Sequence, residues 1–358
     1  MLKGSVMVTF PFDMKGSYMY FRILEKDQVS TFIEGLAHVY EVVAPVMRGG
    51  GYSFEQVRDG SEVELDYPLT IIPPKKYFVR PKECLFRYDS HSGALDETDH
   101  EVSPRVLFGV HACDINAILM TDKIFLGDYV DPYYKARREN TLIVGVSCMP
   151  IPTCMCNAWG TGEVSQGCDL FLTDLGDRYF VTCQSFEGAH ILDTFAKTHE
   201  ASAEDKQALE DHIREFSQAF REPVDTTQLQ LLFDAKYNDP MWETIGDPCL
   251  SCGACSAVCP TCYCFDVVDE LDADGVAGCR IRCWDSCLDS QFAEVAGGHD
   301  FRPTRASRVR YRFYHKFWAY PSRYGKMLCV GCGRCDVACK VDINPRRIVE
   351  ALREGESK

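Results

Sequence analysis

The sequence predicts an α/β N-terminal domain followed by a cysteine-rich C-terminal domain. Three observations predict it. A strand–helix–strand pattern runs over residues 105–147, a charged amphipathic stretch covers 203–220, and two cysteine runs of matching spacing begin at Cys249 and Cys329. At 358 residues there is room for two or three domains. The expected division is an α/β domain over 1–200, a helical bridge over 201–240 and the cysteine-rich domain over 241–358.

The elements follow in chain order. "DQVSTFIEGLAHVYEVV" (27–43) has the apolar spacing of an amphipathic helix running into a strand. "RVLFGV" (105–110) and "NTLIVGVS" (140–147) are short apolar runs between loop signals, hence buried strands, and "DINAILMTDKIF" (114–125) between them has helical periodicity. Such a βαβ unit makes its two strands parallel. "DLFLTDLGDRYFVTCQS" (169–185) reads as a hairpin turning near Gly176 and Asp177. "AEDKQALEDHIREFSQAF" (203–220) and "QLQLLFDAKYN" (228–238) are the helices of the bridge.

Composition excludes several function classes. Lys and Arg total 38 against 53 Asp and Glu, a net charge of −15, which argues against phosphate-backbone binding. No apolar run reaches the length that spans a bilayer. "MLKGSVMVTFPFDMKGS" (1–17) has a short apolar patch broken by Pro and Asp and is a poor signal peptide, so a cytoplasmic protein is expected. Twenty cysteines are far above the norm. Disulfide frameworks belong to small secreted domains, whereas clustered thiols in the cytosol more often hold metal.

The two runs, "CLSCGACSAVCP" (249–260) and "CVGCGRCDVACK" (329–340), each place three cysteines at C-x2-C-x2-C with a fourth downstream. A [4Fe–4S] cube needs four thiolates. Three on one tight loop reach three corners, and in two-cluster ferredoxins the fourth cysteine of each run serves the other run's cube. The duplication then explains itself, because neither half completes its own cube. Cys249, Cys252 and Cys255 pair with Cys339 for one cluster; Cys329, Cys332 and Cys335 pair with Cys259 for the second. Gly253, Gly331 and Gly333 let the backbone fold closely around each cube. Structural zinc uses paired C-x2-C knuckles and suits a third cysteine at this interval badly. Cys259 is followed by Pro260, as the ferredoxin pattern has it, while Cys339 is followed by Lys340. The cysteine-rich domain is thus expected to be a two-[4Fe–4S] ferredoxin-type domain, of the helical ferredoxin type.

With these motifs in view the chain resembles a known family: the iron–sulfur electron-transfer subunits typified by the anaerobic sulfite reductase A subunit and the sulfhydrogenase (cytosolic NiFe hydrogenase) β subunit. The resemblance rests on "PPKKYFVRPKECLF" (73–86), "GVHACDINAI" (109–118), "DPYYKARRENTLIVGVSC" (131–148), "CPTCYCFDVVDE" (259–270), "RCWDSC" (282–287), "AGGHDFRP" (296–303) and "RFYHKF" (312–317). It covers nearly the whole chain beyond the first twenty or so residues.

Cys113 and Cys148 follow the two predicted parallel strands, so both fall on the sheet edge where such folds place ligands. "TCMC" adds Cys154 and Cys156. Spacing alone leaves these four as buried free thiols or as ligands. The resemblance, which carries all four positions, implies a third [4Fe–4S] cluster. Cys84, Cys168 and Cys183 are read as core packing. Cys262, Cys264, Cys283 and Cys287 either pack around the two cubes, the reading preferred here, or ligate a further cluster; Cys279 carries no assignment.

Residues 301–328 contain no Asp or Glu but carry Arg302, Arg305, Arg308, Arg310, Arg312, Lys316, Arg323 and Lys326. The simplest reading is a solvated basic face. The alternative lays these side chains against cluster loops or a partner, where positive charge raises a cluster's potential. His315 is read as structural.

The function expected is electron relay inside a multi-subunit redox complex, without substrate chemistry in this chain alone. No G-x-G-x-x-G follows a strand, and "MRGGGYSF" (47–54) lacks that context. The resemblance implies a flavoprotein partner linked to NAD(P)H or ferredoxin and a terminal catalytic subunit, such as a sulfite reductase, a NiFe hydrogenase or another reductase. Two rivals are a flavin-containing dehydrogenase with its own ferredoxin tail and a zinc-binding scaffold protein.

Overall fold

The computed structural model describes residues 20–97, 102–220, 223–273 and 275–354; the N-terminal stretch weighed above as a signal peptide lies outside them. The chain opens with β1 (Tyr20–Glu25), α1 (Val29–Ala37), β2 (Glu41–Arg48) and β3 (Gly51–Val57). It continues through β4 (Lys82–Asp89) and β5 (Leu95–Glu97) to β6 (Arg105–His111), α2 (Ala112–Phe125), α3 (Pro132–Glu139) and β7 (Thr141–Val146). Then come β8 (Leu170–Asp174), β9 (Arg178–Cys183), α4 (Phe186–Phe195) and β10 (His199–Glu200).

Eight of these strands form one mixed sheet in the order β10-β1-β9-β8-β7-β6-β2-β3. Its centre is parallel, β2 with β6, β6 with β7 and β7 with β8. All seven residues of β6 are buried, because helices cover both faces of a parallel sheet and leave no polar side for its strands. Phe32 and Leu36 of α1, Ile115 and Ile118 of α2, and Ile191 and Leu192 of α4 pack with Val106, Phe108 and Val144 of the strands into one core. The β6–β7 crossover holds a second helix, α3, that the sequence reading passed over. Asp131 caps it by accepting from Tyr134 N, and Pro132 occupies its first turn. β8 and β9 form the hairpin, with Asp174 paired to Tyr179 at its closed end.

The bridge contains α5 (Ala203–Gln218), closed at its start by a reciprocal Ser202–Asp205 capping box, and α6 (Leu229–Ala235); α7 (Met241–Gly246) follows it. Beyond it lie α8 (Ala254–Ala257), β11 (Phe265–Leu271), β12 (Ala277–Trp284), β13 (Glu294–Val295), β14 (His299–Asp300), α9 (Arg305–Tyr314), α10 (Tyr320–Tyr324), α11 (Arg334–Ala338) and α12 (Pro345–Arg353). One π turn, His315–Ala319, joins α9 to α10. A second core gathers Phe233, Trp242, Val309, Phe313, Phe317, Ile348 and Leu352 from the bridge and the C-terminal helices.

A second sheet, β11-β12-β4-β5, takes two strands from each half of the chain, so the halves are tied by β4–β12 pairing. The same pairing corrects the reading of Cys84 as simple core packing. Cys84 on β4 is joined by a disulfide to Cys279 on β12, with Cα atoms 6.0 Å apart and 195 residues between them in sequence. Cys168 and Cys183 are buried in the first core as free thiols. Among the described residues, no helix is long and apolar enough to cross a membrane.

Candidate metal centres

The first cysteine run leaves α7 at Cys249 and turns through Gly253 into α8, which carries Cys255 and ends just before Cys259. The second run repeats this path through Gly333 into α11, which carries Cys335 and ends at Cys339. The two short helices pack on each other. Their contact produces the exchange of fourth cysteines: Cys249, Cys252, Cys255 and Cys339 line one cavity, and Cys259, Cys329, Cys332 and Cys335 line a second. The first is walled on its inner side by Leu288, Val309, Phe313 and Ile343, apolar groups that limit water there, while Cys252 is exposed. Backbone amides already aim at the thiols. Ser251 N donates to Cys249 Sγ at 3.4 Å and Ile343 N to Cys339 Sγ at 3.2 Å.

The other predicted group, Cys113, Cys148, Cys154 and Cys156, lies on the segments that follow the C-terminal ends of β6 and β7. Cys113 sits in the first turn of α2, and Cys148 just past β7. The loop leaving Cys148 returns Cys154 and Cys156, and the thiols come close enough to act on one another. Burial, then Cys154, pushes Cys148 up to about 12. Burial raises Cys113 well above the thiol range, with Asp114, Cys332 and Cys148 adding to it, and raises Cys156, with Cys154 and Cys148 adding to it. Thiols held protonated in this way ionise when a metal takes the proton's place.

This group and the second cavity share a wall. Met155 N donates to Gly331 O at 2.8 Å, Thr161 Oγ1 to Val330 O at 2.7 Å, and Cys154 Sγ to Cys332 O at 3.7 Å. Gly331 (φ +62°) and Gly333 (φ +77°) are required there. A Cβ at Gly331 would stand 2.5 Å from Met155 C, and one at Gly333 2.4 Å from Thr153 Oγ1. Arg334 of α11 reaches Asp114 of α2 through two bonds of 2.7 Å, with both side chains almost fully buried, and its Nε donates to Thr70 O.

The solvated-face reading of the basic strip is corrected for its central residues. Arg308, Arg312 and Lys316 recur every four residues along one face of α9 and its π turn, and all three are buried. Arg312 donates to Cys262 Sγ (3.5 Å) and Cys255 O (3.2 Å). Lys316 donates to Cys259 Sγ (3.4 Å), Thr261 Oγ1 (2.8 Å) and Leu328 O (3.1 Å). Burial works against the charge of each; the sulfurs outweigh it and hold both cationic. Arg305, Arg323 and Lys326 are exposed. His315 is tied to the Tyr263 hydroxyl at 3.0 Å, and burial pushes it down to about 4, so it is neutral.

Sequence reasoning missed a further buried basic residue. Lys75 donates to Cys262 O (3.0 Å) and Ser256 O (3.2 Å) beneath the Trp284 ring. It also missed a buried ionic knot: Glu83 accepts from Arg137 and from Arg282 (2.6 Å), and Arg282 also pairs with Asp131. The signal was there in part, since these residues lie inside the blocks "PPKKYFVRPKECLF", "DPYYKARRENTLIVGVSC" and "RCWDSC". Cys283 on β12 donates instead to Asp266 O at 3.8 Å.

The donor set fits iron–sulfur clusters. The ligands are soft thiols in groups of four, and amides and cations point at sulfur. His111 Nε2, Thr153 Oγ1 and Trp159 Nε1, on or beside the loops of the N-terminal group, are buried without a partner, and bridging sulfides accept such bonds. A model of the 4Fe-4S dicluster domain matches residues 248–343. The β subunit of sulfhydrogenase 2 from Pyrococcus furiosus is 37% identical over 336 residues, 93% of this chain and 98% of that one. This chain belongs to the sulfhydrogenase β-subunit family. The dicluster match supports two [4Fe–4S] clusters in its C-terminal domain, and the chain is an iron–sulfur electron-transfer subunit of that kind. No solved structure matches it.

Proposed function

We propose that this chain relays single electrons inside a multi-subunit cytoplasmic redox complex, between a flavoprotein linked to NAD(P)H or ferredoxin and a terminal catalytic subunit, a NiFe hydrogenase, a sulfite reductase or a similar reductase. Each bound [4Fe–4S] cluster takes up and gives up one electron. Cys249, Cys252, Cys255 and Cys339 hold the first; Cys329, Cys332, Cys335 and Cys259 hold the second; Cys113, Cys148, Cys154 and Cys156 hold a third. The sequence units are 1–200, 201–240 and 241–358, with the third site on the first unit and the pair on the last.

The observation that carries this reading is the contiguity of the three thiol groups. Cys255 on α8 and Cys259 just past its end line different cavities, and the Cys154 thiol bonds the Cys332 carbonyl. The residues have separate tasks. The cysteines grip, the apolar walls limit water, and Arg312 and Lys316 supply positive charge that favours the reduced state. With every cysteine of a group engaged, no iron is left open for substrate there.

The test is composition first, then company. The anaerobically prepared chain should hold at least about twelve irons with matching sulfide. A colourless, iron-free chain with oxidised thiols would refute the reading. Anaerobic purification from its own cells should bring down a flavoprotein and a catalytic subunit. A chain that purifies with neither removes the partner assignment and leaves the clusters standing.

A further inference from the structure

Eight cysteines of the C-terminal half line the two cavities described above. Three more meet beside them. Cys262 and Cys264 lie on the loop that leaves Cys259 and Pro260, and Cys287 lies on the loop after β12. All three line a separate cavity of about 270 Å³, walled by Tyr311, Arg312, His315 and Lys316. Cys264 and Cys287 line it from two different loops. Cys262 and Cys264 face a second opening of about 280 Å³ with Lys75 and Trp284 on its wall.

Charge makes this more than a pocket of neutral thiols. Lys75, Arg312 and Lys316 are 7%, 5% and 4% exposed. Their hydrogen bonds run to carbonyls, a hydroxyl and sulfur, with no carboxylate among them. A buried cation needs an anion close by. Arg312 and Lys316 also face Cys255 and Cys259, where the two four-thiolate cubes would compensate them. Lys75 lies on the other side, against Cys262, and all three cations bond residue 261 or 262. A protonated dithiol or a disulfide at that point carries no charge.

We propose that Cys262, Cys264 and Cys287 form a further site for a [4Fe–4S] cluster, held by three protein thiolates and with its fourth iron turned to the cavity. Thiolate-only ligation selects iron–sulfur clusters or zinc. Among the described residues no three such side chains close tightly enough to hold a single ion, whereas the corners of a cube stand farther apart and the cavity supplies the room. Cys283, which the sequence grouped with these three, is not part of the site.

The inference rests on the reading of this chain as a cluster carrier, and its test separates the two. The full-length chain and its Cys287→Ser and C262S/C264S/C287S variants are prepared anaerobically and compared for iron, sulfide and electron paramagnetic resonance. An iron without a thiolate is lost first, so brief oxidation of the unmutated chain should give a three-iron signal. Each variant should lack that signal and hold about four irons fewer. Unmutated protein that gives no three-iron signal overturns the proposal, whether or not the variants fold. Variants with undiminished iron, or a Cys264–Cys287 disulfide in peptide maps of the anaerobic protein, overturn it as well while leaving the three other groups intact. An iron-free parent chain refutes the carrier reading itself.

Discussion

Replacing Lys316 by Met tests whether the buried cations set cluster potentials. The substitution keeps the length of the side chain and removes one charge 3.4 Å from Cys259 Sγ. A unit charge at that distance acts with ~5 kcal/mol at an effective dielectric constant near 20. The transferred electron is shared over the whole cube, so about half of that, ~2 kcal/mol, reaches it. For a one-electron couple this is roughly 100 mV. The sign is fixed: positive charge stabilises the reduced cluster, so its loss lowers the midpoint. Met also removes one of the two donors to Leu328 O, which still accepts from Thr261 Oγ1, and the Lys316 bond to Thr261 Oγ1, at a cost to stability of about 1–3 kcal/mol. Potentiometric titration followed by electron paramagnetic resonance, on anaerobic full-length protein, reads each cluster separately. The cluster on Cys259, Cys329, Cys332 and Cys335 should fall most and the one on the sheet-edge cysteines least. An unmoved midpoint for the first of these, or equal shifts in all clusters, refutes the argument.

Three other outcomes follow from the contacts. Cys154→Ser/Cys156→Ser should remove about four irons and leave the ferredoxin pair with its iron, as chemical iron analysis of the anaerobic protein would show. Arg334→Met strands the Asp114 carboxylate, so a loss of ~3–5 kcal/mol is expected in chemical denaturation; adding Asp114→Leu should recover much of it. Gly331→Ala puts a methyl into Met155 and Cys156, so its thermal unfolding should come earlier and the sheet-edge iron should be lost more readily to chelators.

How far the sequence could be read depended on how local each signal was. The cysteine spacing is local, and the exchange of Cys259 and Cys339 follows from the geometry of a cube. The β6–α2–β7 unit was legible because its apolar periods change between strand and helix. Phase along the chain was underused at α9: Arg308, Arg312 and Lys316 repeat every four residues, the mark of one helix face, and that face is buried. Other features exist only once distant segments meet. Glu83 and Arg282 lie 199 residues apart, Lys75 and Cys262 187 apart, and Cys84 and Cys279 195 apart. Each depends on β4 crossing to pair with β12, which no window of sequence displays.

That crossing also ties the N-terminal α/β unit to the C-terminal ferredoxin unit. The sheet-edge thiols are covalently part of the first unit, but their loop is shaped against the second. Met155 and Thr161 bond the backbone of residues 330 and 331, and Arg334 bonds Asp114. The group on Cys259, Cys329, Cys332 and Cys335 therefore touches both of the others, through α8 on one side and through Cys154 on the other. In the proposed relay a charge that tunes this middle group would govern passage in either direction, and Lys316 is the cation that bonds its sulfur. Shifting the middle potential while leaving both ends untouched should slow electron flow across the chain without changing how many clusters it holds.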